Sequence, residues 1–156
     1  MQVKGSINVS RELAELEVAE RIERSIRSIL AELNVPINIR SEYVQSDSVG
    51  GEVVLWGRCD TSENPIVLGA SALIERGKKS EEIAKSVSED LLKKINSGNA
   101  VDHYSADQLI PFMGLLPGSV IEASSVSDHT RTNIYVVEKF LNVGFIVNNN
   151  MISVQK

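Results

Sequence analysis

Cysteine and aromatic residues are scarce in this chain of 156 residues, and each shortage excludes a class of protein. Cys59 is the single cysteine, so no internal disulfide can form. A zinc ribbon, which needs several cysteines, is excluded for the same reason. Aromatic residues make up 4% of the chain, too few for an extended platform on which the bases of single-stranded nucleic acid could stack.

An excess of basic charge and long apolar runs are also missing. The chain has 16 basic and 21 acidic side chains, a formal net charge of −5, whereas nonspecific nucleic-acid binding depends on a basic excess. No apolar run approaches the roughly 20 residues that cross a bilayer. The chain starts with MQVKGSINVS, which lacks the apolar segment of a signal peptide. We therefore expect no membrane association and a cytoplasmic location, whereas recognition of a nucleotide or of one strand end stays open.

Several catalytic signatures are absent as well. The chain contains neither the GxGxxG loop of dinucleotide-binding folds nor the GxSxG elbow of serine hydrolases. Gly77 and Lys78 stand side by side, but the spacing before them and Lys79 after them do not make a Walker A loop. A nucleotide site in this chain would therefore have to be built in another way.

Residues 1–97 are predicted to form one small α/β unit with a helix near its start. Apolar residues recur at helical spacing between Leu13 and Leu33, which predicts a helix with a single apolar stripe. Ser10 is the predicted N-cap, and Pro36 lies just beyond the predicted end.

Three strands and a second helix complete this predicted unit. The strands are predicted at residues 37–43, 53–56 and 66–70. A turn is predicted at residues 61–65. The second helix begins near Ser80, and its apolar stripe consists of Ile83, Val87, Leu91 and Ile95. The polar stretch at residues 96–99 is the predicted boundary of the unit.

Residues 98–156 are predicted to form a second small unit. Asp102 is a candidate N-cap for its first helix, and Ser105 with Gln108 fits a capping box as an alternative. Pro111 is expected to end or kink this helix early.

The rest of the second unit is predicted to contain a helix and several short strands. The helix is predicted from about Thr132 to Leu141. The strands are predicted at residues 119–123, 145–147 and 151–154, the last two joined as a hairpin by three asparagines. Because each helix has one apolar stripe, the chain as a whole is predicted to be α/β of the α+β type. Two small units, each a mixed sheet with helices packed on one face, are expected.

His129 is the first candidate for chemistry. It lies near a predicted helix start, where backbone N–H groups favour a bound phosphate and disfavour the imidazolium form. A neutral imidazole beside an anion site can attack phosphorus and carry a covalent phosphoryl or nucleotidyl group. The alternative is a surface histidine beside a helix that Asp128 caps.

A second cluster comprises Tyr104, Asp107 and Gln108. Tyr104 and Gln108 are four residues apart and share one face of a helix, with Asp107 beside them. A tyrosine ring can stack on a base, and a carboxylate or amide can bond ribose hydroxyls. The alternative is a capped helix with solvated polar residues. His103 and Asp107 could also share a metal, although two ligands are a weak indication.

Arg76 and Lys78 lie between the third strand and the second helix of the first unit. Both side chains could contact a phosphate, and a solvated loop is the alternative.

Four segments together resemble the RNA 3'-terminal phosphate cyclases. They are LGASA at residues 68–72, ERGK at 75–78, VDHYSADQL at 101–109, and HTRTN with VEKF at 129–140. The number of residues between Gln108 and His129 also resembles the spacing in this family. The resemblance is strongest over residues 66–147, and the ADQ and HTxTN elements are far more specific together than either is alone.

The resemblance implies an ATP-dependent ligase that converts an RNA 3'-terminal phosphate into a 2',3'-cyclic phosphate through a covalent histidine–AMP intermediate. By position, His129 would be the nucleophile. The residues that would hold ATP are Tyr104, Ser105, Ala106, Asp107 and Gln108. Tyr104 would lie against adenine, with Asp107 and Gln108 near the ribose. The implied partners are ATP and an RNA 3'-phosphate end, and Mg²⁺ or Mn²⁺ is expected with the nucleotide, with its ligand outside this chain.

Only the C-terminal part of the family is represented. By resemblance, residues 1–97 are an inserted α/β domain, and residues 98–156 are the C-terminal part of the main domain. The N-terminal part of the family supplies arginines for phosphates and an acidic metal ligand, and no segment here matches it. We therefore expect an incomplete or split enzyme, weak or inactive alone, whose N-terminal half is a candidate second chain.

Two other classes of function remain open. One is a non-catalytic, cyclase-like factor in ribosomal RNA processing, and the other is a plain RNA-binding or protein-binding α/β module. Because the non-catalytic relatives lack the nucleophilic histidine, retention of His129 within HTRTN favours the enzyme.

Overall fold

The structure is a computed structural model that describes residues 1–59 and 65–155. The chain divides into two compact units, Met1–Asn96 and Ser97–Lys156, hereafter the first and second units. Each unit holds one β-sheet together with helices that pack against it, which confirms the predicted α+β class. The assignment of the units to an inserted domain and a main domain stays a prediction.

The first unit is a four-stranded mixed sheet covered by two helices. Its elements are β1 (Gln2–Ser10), α1 (Val18–Leu30), β2 (Ile37–Val44), β3 (Gly51–Arg58), β4 (Val67–Ile74) and α2 (Ser80–Ser97). The strand order is β2-β1-β3-β4, in which only the pair β1 and β2 is parallel. One face of this sheet forms a single core with both helices, in which Ile7, Ile26 and Leu91 are fully buried. Residues 61–64 of the predicted turn lie outside the described residues.

The central strand β1 was not predicted. Its alternation of buried Val3, Gly5, Ile7 and Val9 with polar residues is the signal of a strand buried on one face. The strand lies between β2 and β3 and therefore organises the whole sheet.

The predicted start of the first helix was wrong. Ser10 makes no capping hydrogen bond, and instead its hydroxyl accepts from the Gly50 backbone N–H at 3.0 Å. A 3-10 helix follows at Arg11–Leu16, and α1 begins only after Glu17, which is in the left-handed region (φ 50°). The Tyr43 hydroxyl on β2 accepts from the N–H of Ala19 at 3.2 Å, so a neighbouring strand supplies the acceptor that the sequence assigned to Ser10.

The second unit is a three-stranded antiparallel sheet with two helices. Its elements are α3 (His103–Leu115), β5 (Val120–Glu122), α4 (Asp128–Phe140), β6 (Gly144–Asn148) and β7 (Met151–Gln155). The strand order is β5-β7-β6, and the predicted hairpin of β6 and β7 is confirmed, with Asn149 at φ 53°. Its core is a cluster of Ile110, Met113, Ile134, Val137, Ile152 and Val154.

Both helices of the second unit differ from their predictions. Asp102 caps α3 by accepting from the Ser105 N–H at 2.8 Å, but Pro111 does not end this helix, which continues to Leu115. The helix α4 begins at Asp128, four residues before the predicted start, and its N-cap is Ser127. His129 therefore lies inside the first turn of α4. Among the described residues, no helix is both long enough and apolar enough to span a membrane.

Candidate nucleotidyl-transfer site

The exposed face of α3 presents two of the predicted nucleotide-binding residues. The capped start of α3 places Tyr104 one turn before Gln108, and both side chains are exposed. The Tyr104 ring is 65% exposed and lies beside the His103 ring, with 3.9 Å between their centroids. An aromatic ring and an amide are thus exposed on the same side of one helix.

The other face of α3 is directed into the unit and carries Asp107. The carboxylate oxygen Oδ1 accepts from the Ser127 hydroxyl at 2.6 Å and from the Thr130 hydroxyl. Ser127 in turn accepts from the Thr130 N–H at 3.0 Å, as an N-cap does. Asp107 therefore bonds to the first turn of α4, which is the turn that carries His129.

The main chain of Asp107 makes a further bond to α4. Its carbonyl oxygen accepts from Asn133 Nδ2 at 2.8 Å. Ser127, Thr130 and Asn133 are spaced by three residues and lie along one side of α4. The two sequence motifs, ADQ on α3 and HTRTN on α4, are therefore joined through one residue.

The hydrogen bonds around Asp107 favour its ionised form. Burial by itself raises the pKa of this carboxyl group. The hydroxyl donors of Ser127 and Thr130 and the electrostatic influence of the nearby His129 and His103 side chains lower it by more, and the pKa lies below its ordinary value of 3.8. The site therefore contains a buried carboxylate that remains charged at neutral pH.

His129 is exposed on the first turn of α4. At a helix start, the backbone N–H groups of Asp128 and His129 have no acceptor within the helix. These donors and the helix dipole favour an anion close to the ring. The arrangement can bring a phosphate to an accessible imidazole.

Two predicted binding residues contribute less than the sequence indicates. Ala106 is fully buried, so its side chain cannot contact a nucleotide, and the Ser105 N–H is bonded by the cap residue Asp102.

In the first unit, Lys78 pairs with Glu75 at 2.6 Å, and Arg76 and Lys78 line a cavity of about 600 Å³.

The described residues do not fit a metal site. None of them forms a group of three or more histidine, cysteine, aspartate or glutamate side chains that could hold an ion. The candidate pair of His103 and Asp107 lacks a third such ligand, and Asp107 Oδ1 already accepts two hydroxyl groups.

Sequence reasoning missed the partners of Asp107. The sequence patterns single out neither Ser127 nor Asn133 as a partner of Asp107. The signal was the spacing of Ser127, Thr130 and Asn133, because polar residues three apart on a helix can all face one neighbour.

Comparison with known proteins identifies the family. The family model described as RNA 3'-terminal phosphate cyclase matches residues 2–147. Similar curated proteins bear the same name. The chain is 39% identical over 124 residues to the one from Pyrococcus abyssi, a match that covers 80% of this chain and 35% of the relative.

Two further relatives extend the match. The chain is 35% identical over 142 residues to the protein from Thermococcus onnurineus (90% of this chain, 40% of the relative). It is 34% identical over 143 residues to the protein from Methanosarcina barkeri (92% of this chain, 40% of the relative). The chain thus spans 35–40% of the length of these relatives. Because the family model matches nearly all of it, the chain belongs to the RNA 3'-terminal phosphate cyclase family.

Proposed function

We propose that this chain carries the nucleophile and the nucleoside-binding helix of an ATP-dependent ligase that cyclises RNA 3'-phosphate ends. One observation carries the proposal: Asp107 on α3 bonds to the turn of α4 that bears the exposed His129. The helix that presents Tyr104 and Gln108 is thereby held beside the candidate nucleophile. The family name supports the same reaction class.

In the first step, the lone pair of His129 Nε2 attacks the α-phosphorus of ATP. The N–P bond forms as the bond from that phosphorus to the bridging oxygen breaks, and pyrophosphate leaves with the electron pair. The N–H groups at the start of α4 face the charge that develops on the phosphoryl oxygens. Tyr104 stacks on adenine, and Gln108 bonds the ribose.

The next two steps return the imidazole and close the RNA end. An oxygen of the RNA 3'-phosphate attacks the phosphorus of the histidine–AMP adduct, and His129 leaves with the electron pair of the N–P bond. The neighbouring 2'-hydroxyl then loses its proton and attacks the activated 3'-phosphorus, so that the cyclic phosphate forms and AMP departs. Only the RNA terminus is held, which is compatible with the net charge of −5.

The remaining catalytic groups are proposed to come from the rest of the cyclase. The relatives are longer than this chain, which covers 35–40% of their length. We propose that the missing portion supplies phosphate-binding arginines and the ligand of a divalent metal, in the same polypeptide or as a second chain. Without those groups, most of the electrostatic stabilisation of the transition state is absent. We therefore expect weak or no cyclisation by these 156 residues alone.

Incubation with α-labelled ATP and Mg²⁺ or Mn²⁺ tests the proposal. It is done with the 156-residue chain alone and with the N-terminal portion of a related cyclase added. The protein should take an acid-labile label that His129→Ala abolishes. His103→Ala is the matched control, because the chain has only two histidines, and it should keep the label.

Three results would contradict the proposal or a part of it. Label that persists in His129→Ala would place the nucleophile elsewhere. A wild-type chain that takes no label even with the added portion would favour the non-catalytic, ribosomal RNA processing alternative. Full cyclisation by the chain alone would refute the proposed dependence on the missing part.

A further inference from the structure

Pro111 gives α3 an unusual main-chain acceptor. In an α-helix, the carbonyl of residue 107 accepts from the N–H of residue 111, and proline has no N–H to give. The helix nevertheless continues through Pro111 to Leu115. The carbonyl of Asp107, a residue that is 8% exposed, is thus left for another donor.

Asn133 on α4 provides that donor. Its Nδ2 lies 2.8 Å from the Asp107 carbonyl oxygen in a partly buried bond. The carboxylate of the same Asp107 accepts from Ser127 and Thr130. Six residues separate Ser127 from Asn133, which is about 9 Å along a helix axis. The helix that carries His129 is therefore bonded to both the side chain and the main chain of a single residue of α3, from positions six residues apart on α4.

We propose that Asn133 is a positioning residue for nucleotidyl transfer and that Pro111 reserves the acceptor it needs. The role rests on the proposed function of His129. Asn133 lies three residues beyond Thr130, about 4.5 Å along the axis at about 1.5 Å rise per residue, so its bond adds to the apolar packing a directional contact that resists rotation of the first turn of α4 against Asp107. The approach of Nε2 to phosphorus depends on such alignment, since a misplacement of about 1 Å can slow a reaction by about 100-fold.

The first experiment separates positioning from folding. Asn133→Ala is expected to lower the maximal rate of histidine labelling about tenfold or more, while the ATP concentration for half-maximal rate stays nearly unchanged. Asn133→Asp removes the donor at nearly constant shape and should behave in the same way. Asn150→Ala is the matched control, because this asparagine also donates to a backbone carbonyl, but to that of Ser124 and not to that of Asp107. It should label at the wild-type rate.

The second variant exploits the proline. In Pro111→Ala, the helix gains an N–H that competes with Asn133 for the Asp107 carbonyl, and we expect it to weaken or replace the Asn133 bond. We expect equal or greater resistance to urea but a labelling rate as low as that of Asn133→Ala. Adding Asn133→Ala to Pro111→Ala should then change little. A purely structural bond would instead make rate and stability change together, and labelling at the wild-type rate in both single variants would overturn the inference.

A measurement without nucleotide distinguishes this inference from the proposed function. Amide hydrogen exchange at Thr130 and Arg131 should quicken about tenfold in Asn133→Ala and Pro111→Ala but not in Asn150→Ala. Unchanged exchange would overturn the inference even if His129 is labelled. Faster exchange in a chain that never takes label would show that the attachment is real and that the proposed function has failed.

Discussion

Asp107 shows how one residue can join two motifs that are far apart in sequence. The residue is only 8% exposed, and its carboxylate is tolerated because two hydroxyl groups donate to it. The sequence places Asp107 on α3 beside Tyr104 and Gln108, and that much could be predicted. The direction of its side chain could not, because its partners lie 20 and 23 residues away on another helix. Local periodicity carries no information about such a pairing.

Replacing Asp107 by asparagine should reveal the contribution of its charge to stability. The folded pKa lies below 3.8, so the ionised group stabilises the fold fully above that ordinary value. This contribution is lost as the pH falls through the lower folded pKa. Asp107→Asn should therefore unfold about 1–2 kcal/mol more easily at pH 7, with the difference shrinking below about pH 4.

Urea unfolding of both proteins between pH 7 and pH 3 measures this difference. Asp47→Asn, at an exposed position of the first unit, serves as the control and should follow the wild type. A gap between wild type and Asp107→Asn that stays constant across the acid range would contradict the assigned role of the charge.

At the scale of elements, a helix boundary could be predicted where the residues that stabilise it lie within the same segment of sequence. It could not be predicted where those residues lie on another element. The helix α2 has its apolar stripe, acidic first turn and terminal Gly98 within its own sequence, and its predicted start at Ser80 is confirmed. The predicted start of α1 was wrong because Tyr43, a distant residue on β2, supplies the acceptor for the Ala19 N–H at the start of this helix. Similarly, α3 continues through Pro111, and the donor for the carbonyl that the proline leaves without a helical partner is Asn133, on another helix.

The packing of α3 against α4 depends on a small residue. A Cβ added at Gly114 would overlap the Val137 side chain and come within 3.1 Å of Leu141. Gly114→Ala should therefore destabilise the second unit by about 1–2 kcal/mol, since overpacking of about 1–3 kcal/mol outweighs the higher helix propensity of alanine.

Gly144, in the same unit, serves as the control for this prediction. A Cβ at Gly144, at the start of β6, would meet nothing within 4 Å, so Gly144→Ala should leave stability nearly unchanged. Far-UV circular dichroism in urea would follow both units, and the fluorescence of the single tryptophan, Trp56, would report on the first, so a transition seen by circular dichroism alone belongs to the second unit. Equal effects of the two substitutions would show that α3 and α4 pack less closely than described.

At the scale of the whole molecule, the two units bury very different amounts of apolar surface. Among the described residues, the main core of the first unit has sixteen buried apolar side chains, drawn from both helices and three of the four strands. The corresponding cluster of the second unit has six. The second unit also leaves large apolar side chains exposed, with Phe140 at 84%. Composition could not predict this asymmetry, because 42% hydrophobic content describes the chain as a whole.

Hydrogen exchange on the intact chain should therefore separate the units. The free energy of opening scales with the apolar surface that is exposed, so the larger core should open less often. Amides of β1 and β3, at Ile7 and Val53, should exchange about tenfold or more slowly than the most protected amides of α3 and α4, such as Ile110 and Ile134. Equal protection of the two sets would mean that the two units unfold together. It would contradict the expectation that the second unit opens at a lower free energy than the first. If exchange is faster in α3 and α4, the candidate site lies on the less stable unit. The bonds from Ser127, Thr130 and Asn133 to Asp107 would then make a large contribution to holding the two helices together.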